Sequence, residues 1–282
     1  MNYFFPSTVE EALGLASGAS NPKYIAGGTD LSLQIRDGVF SPDTLIDLTC
    51  IGELKGITET GRGISIGAAT TLSEVADSEV LPSTLIRGAR LVGSPQIRSL
   101  GTIGGNICNA SPCGDTLTPI IALGAILRTV SPSGLREIPA EDFFLGPKKT
   151  ILKEREILKE VIIEKQFLRG SSFFKKIGRR ELQSISQVNL ALWLVMDKPE
   201  GVVSRIRVAV GSCAPVPLRA VKTEAFLEGK KLSDDAIDRG VAVLLSEISP
   251  VTDVRASLSY RKLVAGTFFR EAMKEARDDS EA

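Results

Sequence analysis

The sequence contains no histidine among its 282 residues. Histidine is the commonest general base and metal ligand in proteins, and it is the usual partner of serine and cysteine nucleophiles. Its absence excludes the Ser-His and Cys-His nucleophile systems and removes the usual nitrogen ligand from any metal site. We therefore expect that any chemistry carried out by this chain belongs to a bound cofactor.

Cysteine is also scarce, and no two cysteines form a C-x-x-C pair. The four are Cys50, Cys108, Cys113 and Cys213. This number and spacing indicate neither a disulfide scaffold nor a zinc ribbon, so free thiols are expected. Cys108 and Cys113 leave open a metal site, but two thiolates without histidine would fill only half of it. We predict no metal ligand on this chain.

The sequence has no excess of charge and no long apolar run. Lys and Arg number 34, and Asp and Glu also number 34, so no basic field exists to attract nucleic acid or an anionic membrane. No basic residue precedes Lys23, and the apolar run LTPIIALGAIL is too short to cross a bilayer. The expected protein is cytoplasmic, with protein or small-molecule partners and no membrane span.

The length and the order of patterns predict an α+β protein of two domains. Strand and helix patterns alternate from the start, and two S/T-x-x-E capping boxes mark helix starts at Ser7 and Thr71. The basic, glycine-marked stretch QFLRGSSFFKKIGRRE predicts a boundary between domains 1–168 and 169–282. After it, VNLALWLVM and VVSRIRVAVGSCAP are expected to pair as strands, with a helix starting at Ser233 and a second one at the end.

Two stretches share one build, an apolar segment followed by paired glycines and polar residues: KYIAGGTD at 23–30 and TIGGNICNASPCGD at 102–115. A diphosphate needs several convergent N–H donors, and glycine allows both a positive φ and a close backbone approach. The residues expected to supply these features are Gly27, Gly28, Gly104 and Gly105, with Thr29, Thr102 and Asn106 as side-chain donors. Either pair alone could instead be a hairpin or bulge turn. Neither stretch is a Walker A loop or a G-x-G-x-x-G fingerprint.

Six motifs in this order resemble the flavoprotein (medium) subunit of the molybdenum hydroxylases, the family of xanthine dehydrogenase, carbon monoxide dehydrogenase and aldehyde oxidoreductases. They are AGGTD at 26–30, TIGGNICNASPCGDTLTP at 102–119, DFFLGPKKT at 142–150, EILKEVIIE at 156–164, FFKKIGRRE at 173–181 and SPVTDVRASLSYRKLVAG at 249–266. The resemblance implies a vanillyl-alcohol-oxidase-type FAD-binding domain of two subdomains, about 1–53 and 54–168, followed by a smaller α+β C-terminal domain.

The resemblance also implies which residues hold FAD, and it implies no catalytic residue on this chain. The expected cofactor-binding residues are Tyr24, Ile25, Ala26, Gly27, Gly28, Thr29, Asp30, Leu31, Thr102, Ile103, Gly104, Gly105, Asn106, Asp115, Leu158 and Lys175. From the residues alone, Asp115 could equally cap the following helix, and Leu158 could be core. The cluster Lys175, Lys176, Arg179 and Arg180 could be a solvated basic loop, within which only Lys175 matches a cofactor position.

The function implied is an electron relay within a complex of several subunits. Electrons would arrive from [2Fe–2S] clusters on an iron–sulfur subunit and leave through FAD to NAD or another acceptor, with the molybdenum cofactor on a large subunit. Relatives of this fold often bind FAD covalently through a histidine. Because this chain has no histidine, FAD should be bound non-covalently. Two alternatives stay open: a free-standing FAD-dependent oxidase or reductase of the same fold, and an interaction scaffold without flavin.

Overall fold

The computed structural model describes residues 1–180, 183–197 and 201–281. The first layer is a small parallel sheet with two helices. Its elements are β1 (Asn2–Phe4), α1 (Val9–Gly18), β2 (Pro22–Ile25), α2 (Leu31–Arg36) and β3 (Thr44–Asp47). The strands lie in the order β1-β3-β2, and both pairings are parallel. Parallel neighbours need crossovers, which α1 and α2 occupy, so the turn after β2 opens at the carboxyl end of this sheet.

The start of α1 differs from the sequence prediction by one residue. Thr8, not Ser7, is the N-cap, and its hydroxyl accepts a hydrogen bond from the Glu11 amide at 3.1 Å. The Ser7 amide donates to the Glu11 carboxylate at 2.7 Å. Two adjacent hydroxyl residues followed by two adjacent glutamates offer two registers of one motif, so spacing alone could not decide between them. The capping box at Thr71 is confirmed.

The second layer is an antiparallel sheet of five strands covered by short helices. Its elements are β4 (Ile57–Glu59), β5 (Gly63–Gly67), α3 (Leu72–Ala76), α4 (Ser83–Arg90), α5 (Pro95–Leu100), α6 (Ile103–Asn109), α7 (Leu117–Ala122), β6 (Ile126–Ser131), β7 (Gly134–Pro139), the hairpin β8 (Phe144–Gly146) and β9 (Lys149–Thr150), and β10 (Ile157–Glu164). The sheet order is β4-β5-β10-β6-β7. Ile64 and Ile66 of β5 point to the buried face, as their alternation predicts.

The third part is a second antiparallel sheet with three helices. It comprises β11 (Ser171–Ile177), β12 (Val188–Asp197), β13 (Val202–Gly211), β14 (Leu218–Arg219), α8 (Val221–Leu227), α9 (Asp234–Glu247) and α10 (Leu258–Glu281). The predicted pairing of β12 with β13 is confirmed, and Ser233 is the N-cap of α9. Glu181, at the end of the basic stretch, lies outside the described residues.

The four-stranded sheet is buried on both faces. Leu190, Leu192 and Leu194 of β12 pack toward α9 and α10, while Ala191 and Trp193 join the core beneath the five-stranded sheet. The Trp193 indole N–H donates to the Arg169 carbonyl at 2.8 Å. The α+β fold class predicted from the sequence is confirmed. No helix in the described ranges combines the length and apolar character that a bilayer crossing requires.

Candidate functional site

A cleft of about 450 Å³ lies between the first sheet and the second layer. One wall is the turn between β2 and α2, and the other is built by the start of α6 and by β10. Most residues predicted to bind FAD line it together: Tyr24, Ile25, Ala26, Gly27, Gly28, Thr29, Asp30, Leu31, Thr102, Gly104, Gly105, Asn106 and Leu158. Three predicted residues do not line the cleft: Ile103, Asp115 and Lys175.

The turn at residues 27–30 has the properties that an anion site requires. Gly28 has a φ of +66°, which glycine adopts without strain. The amides of residues 27–30 donate no hydrogen bond to any other part of the chain that the structure describes. Backbone amides of this kind are normally paired, with protein, water or ligand. Consecutive free amides around a left-handed residue form a concave nest for phosphate oxygens.

Gly27 is required by packing and not by its φ. A Cβ at Gly27 would lie 1.7 Å from the carbonyl oxygen of Leu100, the last residue of α5. The turn is therefore pressed against the backbone of the second layer, and this contact fixes one end of the cleft. A side chain at this position would push the turn off α5.

The second glycine pair is helical, which corrects the expectation of a second glycine turn with positive φ. Thr102 is the N-cap of α6, and Gly104 and Gly105 form its first turn. The amides there already have acceptors: Ile103 N on Thr70 O at 2.9 Å, Gly104 N on Ala68 O at 2.8 Å and Gly105 N on Thr102 Oγ1 at 3.0 Å. The start of α6 therefore offers the cleft a close surface, and the free donors belong to the turn at 27–30.

The two glycines of α6 have different roles. A Cβ at Gly104 would lie 2.6 Å from both the Cβ and the carbonyl oxygen of Ala68, so Gly104 allows α6 to pack on the end of β5. Gly105 is exposed in the cleft, and a Cβ there would meet only the Thr102 hydroxyl, at 3.0 Å. A side chain at Gly105 would occupy the space of a ligand.

Tyr24 supplies a second sign that the cleft is built for a polar ligand. Its hydroxyl oxygen is buried and has no hydrogen-bond partner among the described residues. Burial raises the pKa of Tyr24 to about 12, so the phenol stays protonated and can donate. An unpaired buried hydroxyl costs free energy, and a ligand group that accepts a hydrogen bond from it would recover that free energy.

Leu158, almost completely buried on β10, is both a core residue and part of the cleft wall.

Glu156 is a buried carboxylate in the cleft wall that sequence reasoning did not find. Its oxygens accept from Arg136 Nη2 at 2.8 Å and from the Lys153 amide at 2.7 Å, and Thr129 also donates. Burial alone would raise the pKa of Glu156, but these donors outweigh burial and lower it. The charge is therefore satisfied inside the protein. No sequence signal shows it, since Arg136 is 20 residues away, on β7.

Asp115 lies outside the cleft and does not cap α7. The N-cap of α7 is Thr116, and the Asp115 carboxylate instead accepts from Lys176, Ser186 and Asn189 Nδ2, the last at 3.3 Å. Its side chain is 8% exposed and that of Lys176 is 5% exposed. Burial raises the pKa of Asp115, against the opposing effect of the Lys176 ammonium. The pair joins the second layer to the four-stranded sheet.

Lys175 and Lys176 point to opposite faces of β11. Lys175 pairs with Glu271 of α10 at 2.7 Å, on the outer face, whereas Lys176 faces the second layer. Lys176 also lines a smaller cleft of about 250 Å³ together with Leu91, Ile177, Gly178 and Arg180. Ile103 is fully buried in the main core. The cofactor contacts predicted for Ile103, Asp115 and Lys175 therefore have no counterpart in the large cleft.

All four cysteines are free thiols, and Cys108 lines the cleft. Burial, with a smaller contribution from the Glu156 charge, raises the pKa of Cys108 to about 12. Its thiol is therefore protonated and a poor nucleophile or ligand at neutral pH. Within residues 1–180, 183–197 and 201–281, no three Cys, Asp or Glu side chains gather into a possible metal site.

The fold and the cleft define a nucleotide-cofactor-binding protein with an additional α+β domain. Two family models match the chain: the FAD binding domain in molybdopterin dehydrogenase over residues 1–165, and the CO dehydrogenase flavoprotein C-terminal domain over residues 172–276. The chain belongs to this family of FAD-binding subunits of molybdenum hydroxylases, as its six motifs predict.

Two relatives and one solved structure align with the chain along nearly their whole length. The chain is 33% identical to the glyceraldehyde dehydrogenase medium chain of Sulfolobus acidocaldarius, covering 97% of each chain. It is 31% identical to the carbon monoxide dehydrogenase medium chain of Hydrogenophaga pseudoflava, covering 97% of this chain and 96% of that one. A solved carbon monoxide dehydrogenase from Hydrogenophaga pseudoflava, lacking the Mo-pyranopterin moiety, contains a chain that superimposes with a TM-score of 0.90 at 32% identity, covering 98% and 96%.

Proposed function

We propose that this chain is the electron-relay subunit of a molybdenum hydroxylase complex. It receives electrons from [2Fe–2S] clusters on an iron–sulfur subunit and delivers them, through non-covalent FAD, to NAD or another external acceptor. The large molybdenum subunit would carry out hydroxylation. FAD accepts electrons singly and releases them as a pair, which suits the end of such a relay. The observation that carries the proposal is the cleft, whose walls include four free amides at residues 27–30 and Tyr24, a residue with an unpaired buried hydroxyl.

The chain contributes binding and positioning rather than proton transfer. The turn at 27–30 would hold the diphosphate, and Thr29 and Asn106 would add side-chain donors beside it. The Tyr24 hydroxyl would donate a hydrogen bond to a cofactor oxygen, and Leu158 with its neighbours would exclude water from the apolar wall. The roles predicted for Asp115 and Lys175 stay predictions. Of the two adjacent lysines, it is Lys176 that pairs with Asp115, and Lys176 lines the smaller cleft.

The relay is tested in the assembled complex by separating the two ends of the electron path. When the chain is depleted of flavin, substrate should still reduce the molybdenum and iron–sulfur centres, seen by electron paramagnetic resonance. Reduction of the natural acceptor should stop, while an artificial acceptor drawing from the clusters should sustain turnover. Loss of cluster reduction on flavin removal would place the flavin before the clusters and refute the proposed direction.

We expect the flavin to be released when the protein is denatured. The sequence has no histidine to form the usual covalent link, and the cysteine in the cleft, Cys108, holds its proton tightly. Acid precipitation should leave flavin absorbance near 450 nm, typical of flavins, in the supernatant and none in the pellet. Flavin retained in the pellet would contradict the prediction, and its loss in a Cys108→Ala variant would identify the link.

Two further expectations remain proposals. The free state of all four cysteines is compatible with a reducing cytoplasm, and we propose that location for the complex. The division between domains 1–168 and 169–282 also remains a proposal, supported by the change from the five-stranded to the four-stranded sheet across the short connection after β10.

A further inference from the structure

Two lysines line the cleft in the described ranges, and one of them reaches the glycine turn. The Lys23 ammonium lies 4.4 Å from the centroid of the Phe40 ring, which holds it as a cation–π pair. The Lys148 ammonium lies 3.1 Å from Asp30 Oδ2 and 2.6 Å from Asn109 Oδ1. Lys148 therefore spans the cleft mouth, from the end of α6 to the turn at 27–30.

The backbone holds Lys148 in this place through an unusual contact. Lys148 lies in the turn of the β8/β9 hairpin with a φ of +60°, and its amide donates to the Ala110 carbonyl at 2.9 Å. Ala110, which ends α6, also has a positive φ, of 46°. Non-glycine residues in this conformation cost free energy and persist only where their surroundings fix them. The Lys148 side chain is 50% exposed, so its head is free to exchange partners while its backbone stays fixed.

The charges around the turn favour a cation at this point. The free amides of residues 27–30 attract an anion, but the Asp30 carboxylate beside them would repel one. Glu156, the other carboxylate of the cleft, is already neutralised by Arg136. Among the residues that the structure describes, Lys148 is the cation that pairs with Asp30, which it reaches from the opposite wall, and the neutral Gln34 amide also donates to this carboxylate.

We propose that Lys148 binds the diphosphate of FAD, leaving Asp30 or bridging it to the phosphate oxygens when the cofactor enters. The inference rests on the proposed function and adds a residue to its site. Before binding, Lys148 cancels the charge of Asp30; after binding, it closes the cleft mouth over the diphosphate. The flavin ring makes no contribution to this contact.

The test compares two adjacent lysines with three ligands. The full-length chain, freed of flavin, is titrated with FAD, ADP and riboflavin as Lys148→Ala and as Lys149→Ala; Lys149 is exposed and does not line the cleft. Loss of one charge-assisted contact should weaken FAD and ADP about tenfold or more in Lys148→Ala. Riboflavin affinity should not change, and Lys149→Ala should match the unsubstituted chain. Lys148→Arg should restore most of the affinity for FAD.

The possible failures are distinguishable. If the unsubstituted chain binds FAD, and Lys148→Ala binds it within threefold of that value, the inference is wrong and the proposed function stands. Equal weakening of riboflavin and FAD would also overturn it, because a phosphate contact cannot affect riboflavin. An unsubstituted chain that binds neither FAD nor ADP would refute the proposed function together with the inference. Circular dichroism of each variant separates loss of affinity from loss of fold.

Discussion

Gly105→Val should abolish FAD binding while leaving the protein folded. Gly105 is the exposed glycine of α6 in the cleft, so the valine methyl groups would stand where the cofactor must lie. A loss of about 3 kcal/mol corresponds to more than a hundredfold in affinity, and we expect at least that effect in a flavin titration. Valine is a better helix former than glycine, which offsets any disturbance of the Thr102 cap. The free energy of unfolding should therefore change by no more than about 1 kcal/mol.

Gly104→Val is the matched control, one position earlier in the same helical turn. Its side chain would overlap Ala68, a core residue at the edge of the cleft, so the main clash is with packed protein rather than with open cleft space. Overpacking of this kind costs about 1–3 kcal/mol or more, so this variant should lose stability in urea denaturation. A Gly105→Val protein that keeps full flavin occupancy would refute the assignment of the cleft. The expected contrast is one variant that is stable and empty, and one that is destabilised.

Lys176→Ala should destabilise the protein far more than Lys175→Ala, although the two lysines are adjacent on β11. Removing Lys176 leaves the Asp115 carboxylate buried with only neutral donors, and breaking a buried pair in this way typically costs about 3–5 kcal/mol. Lys175 and Glu271 are 29% and 50% exposed, so their pair should contribute less than about 1 kcal/mol. Urea denaturation of the two variants gives both values.

The same pair of variants tests which lysine serves the flavin. Asp115 fixes Lys176 at the edge of the smaller cleft. A flavin ring that extends from the large cleft to the smaller one would lie beside this ammonium, so the absorbance spectrum of bound flavin should then shift in a Lys176→Arg protein that remains folded. Lys175→Arg should leave the spectrum unchanged. A spectral shift confined to Lys175→Arg would restore the contact predicted from the sequence, and equal stability losses in the two alanine variants would contradict the buried pair.

The sequence predicts the fold well where local patterns and packing agree. Ile64 and Ile66 alternate because one face of β5 is buried, and Ser233 precedes α9 because a hydroxyl can cap its first turn. The prediction is wrong where glycine misleads. Glycine is about 1 kcal/mol worse than alanine in a helix, so Gly104 and Gly105 indicated a turn. The contact of Gly104 with Ala68, more than thirty residues away, explains why the helix needs glycine at position 104.

For the site, the sequence identified the segments but not which side chains face one another. The turn at 27–30 and the start of α6 meet because Gly27 packs on Leu100, a contact across two layers. Adjacent residues of β11 face opposite sides of the sheet. Because Phe173 and Phe174 are both apolar and both buried, the sequence does not show which of the two following lysines faces the second layer. Lys148 lies within the motif DFFLGPKKT, but its partner Asp30 is 118 residues away along the chain, so the sequence could not show that the two side chains meet.

The burial of the four-stranded sheet on both faces has a consequence for how the chain loses its structure. Family models divide the sequence near residue 170, as if two modules had been joined. However, Trp193 and Ala191 on one face of β12 belong to the same core as the helices of the second layer. Detaching the modules would expose this face to water. The chain should therefore melt as one cooperative unit, with a single calorimetric peak, and a fragment beginning at Ser171 should aggregate rather than fold.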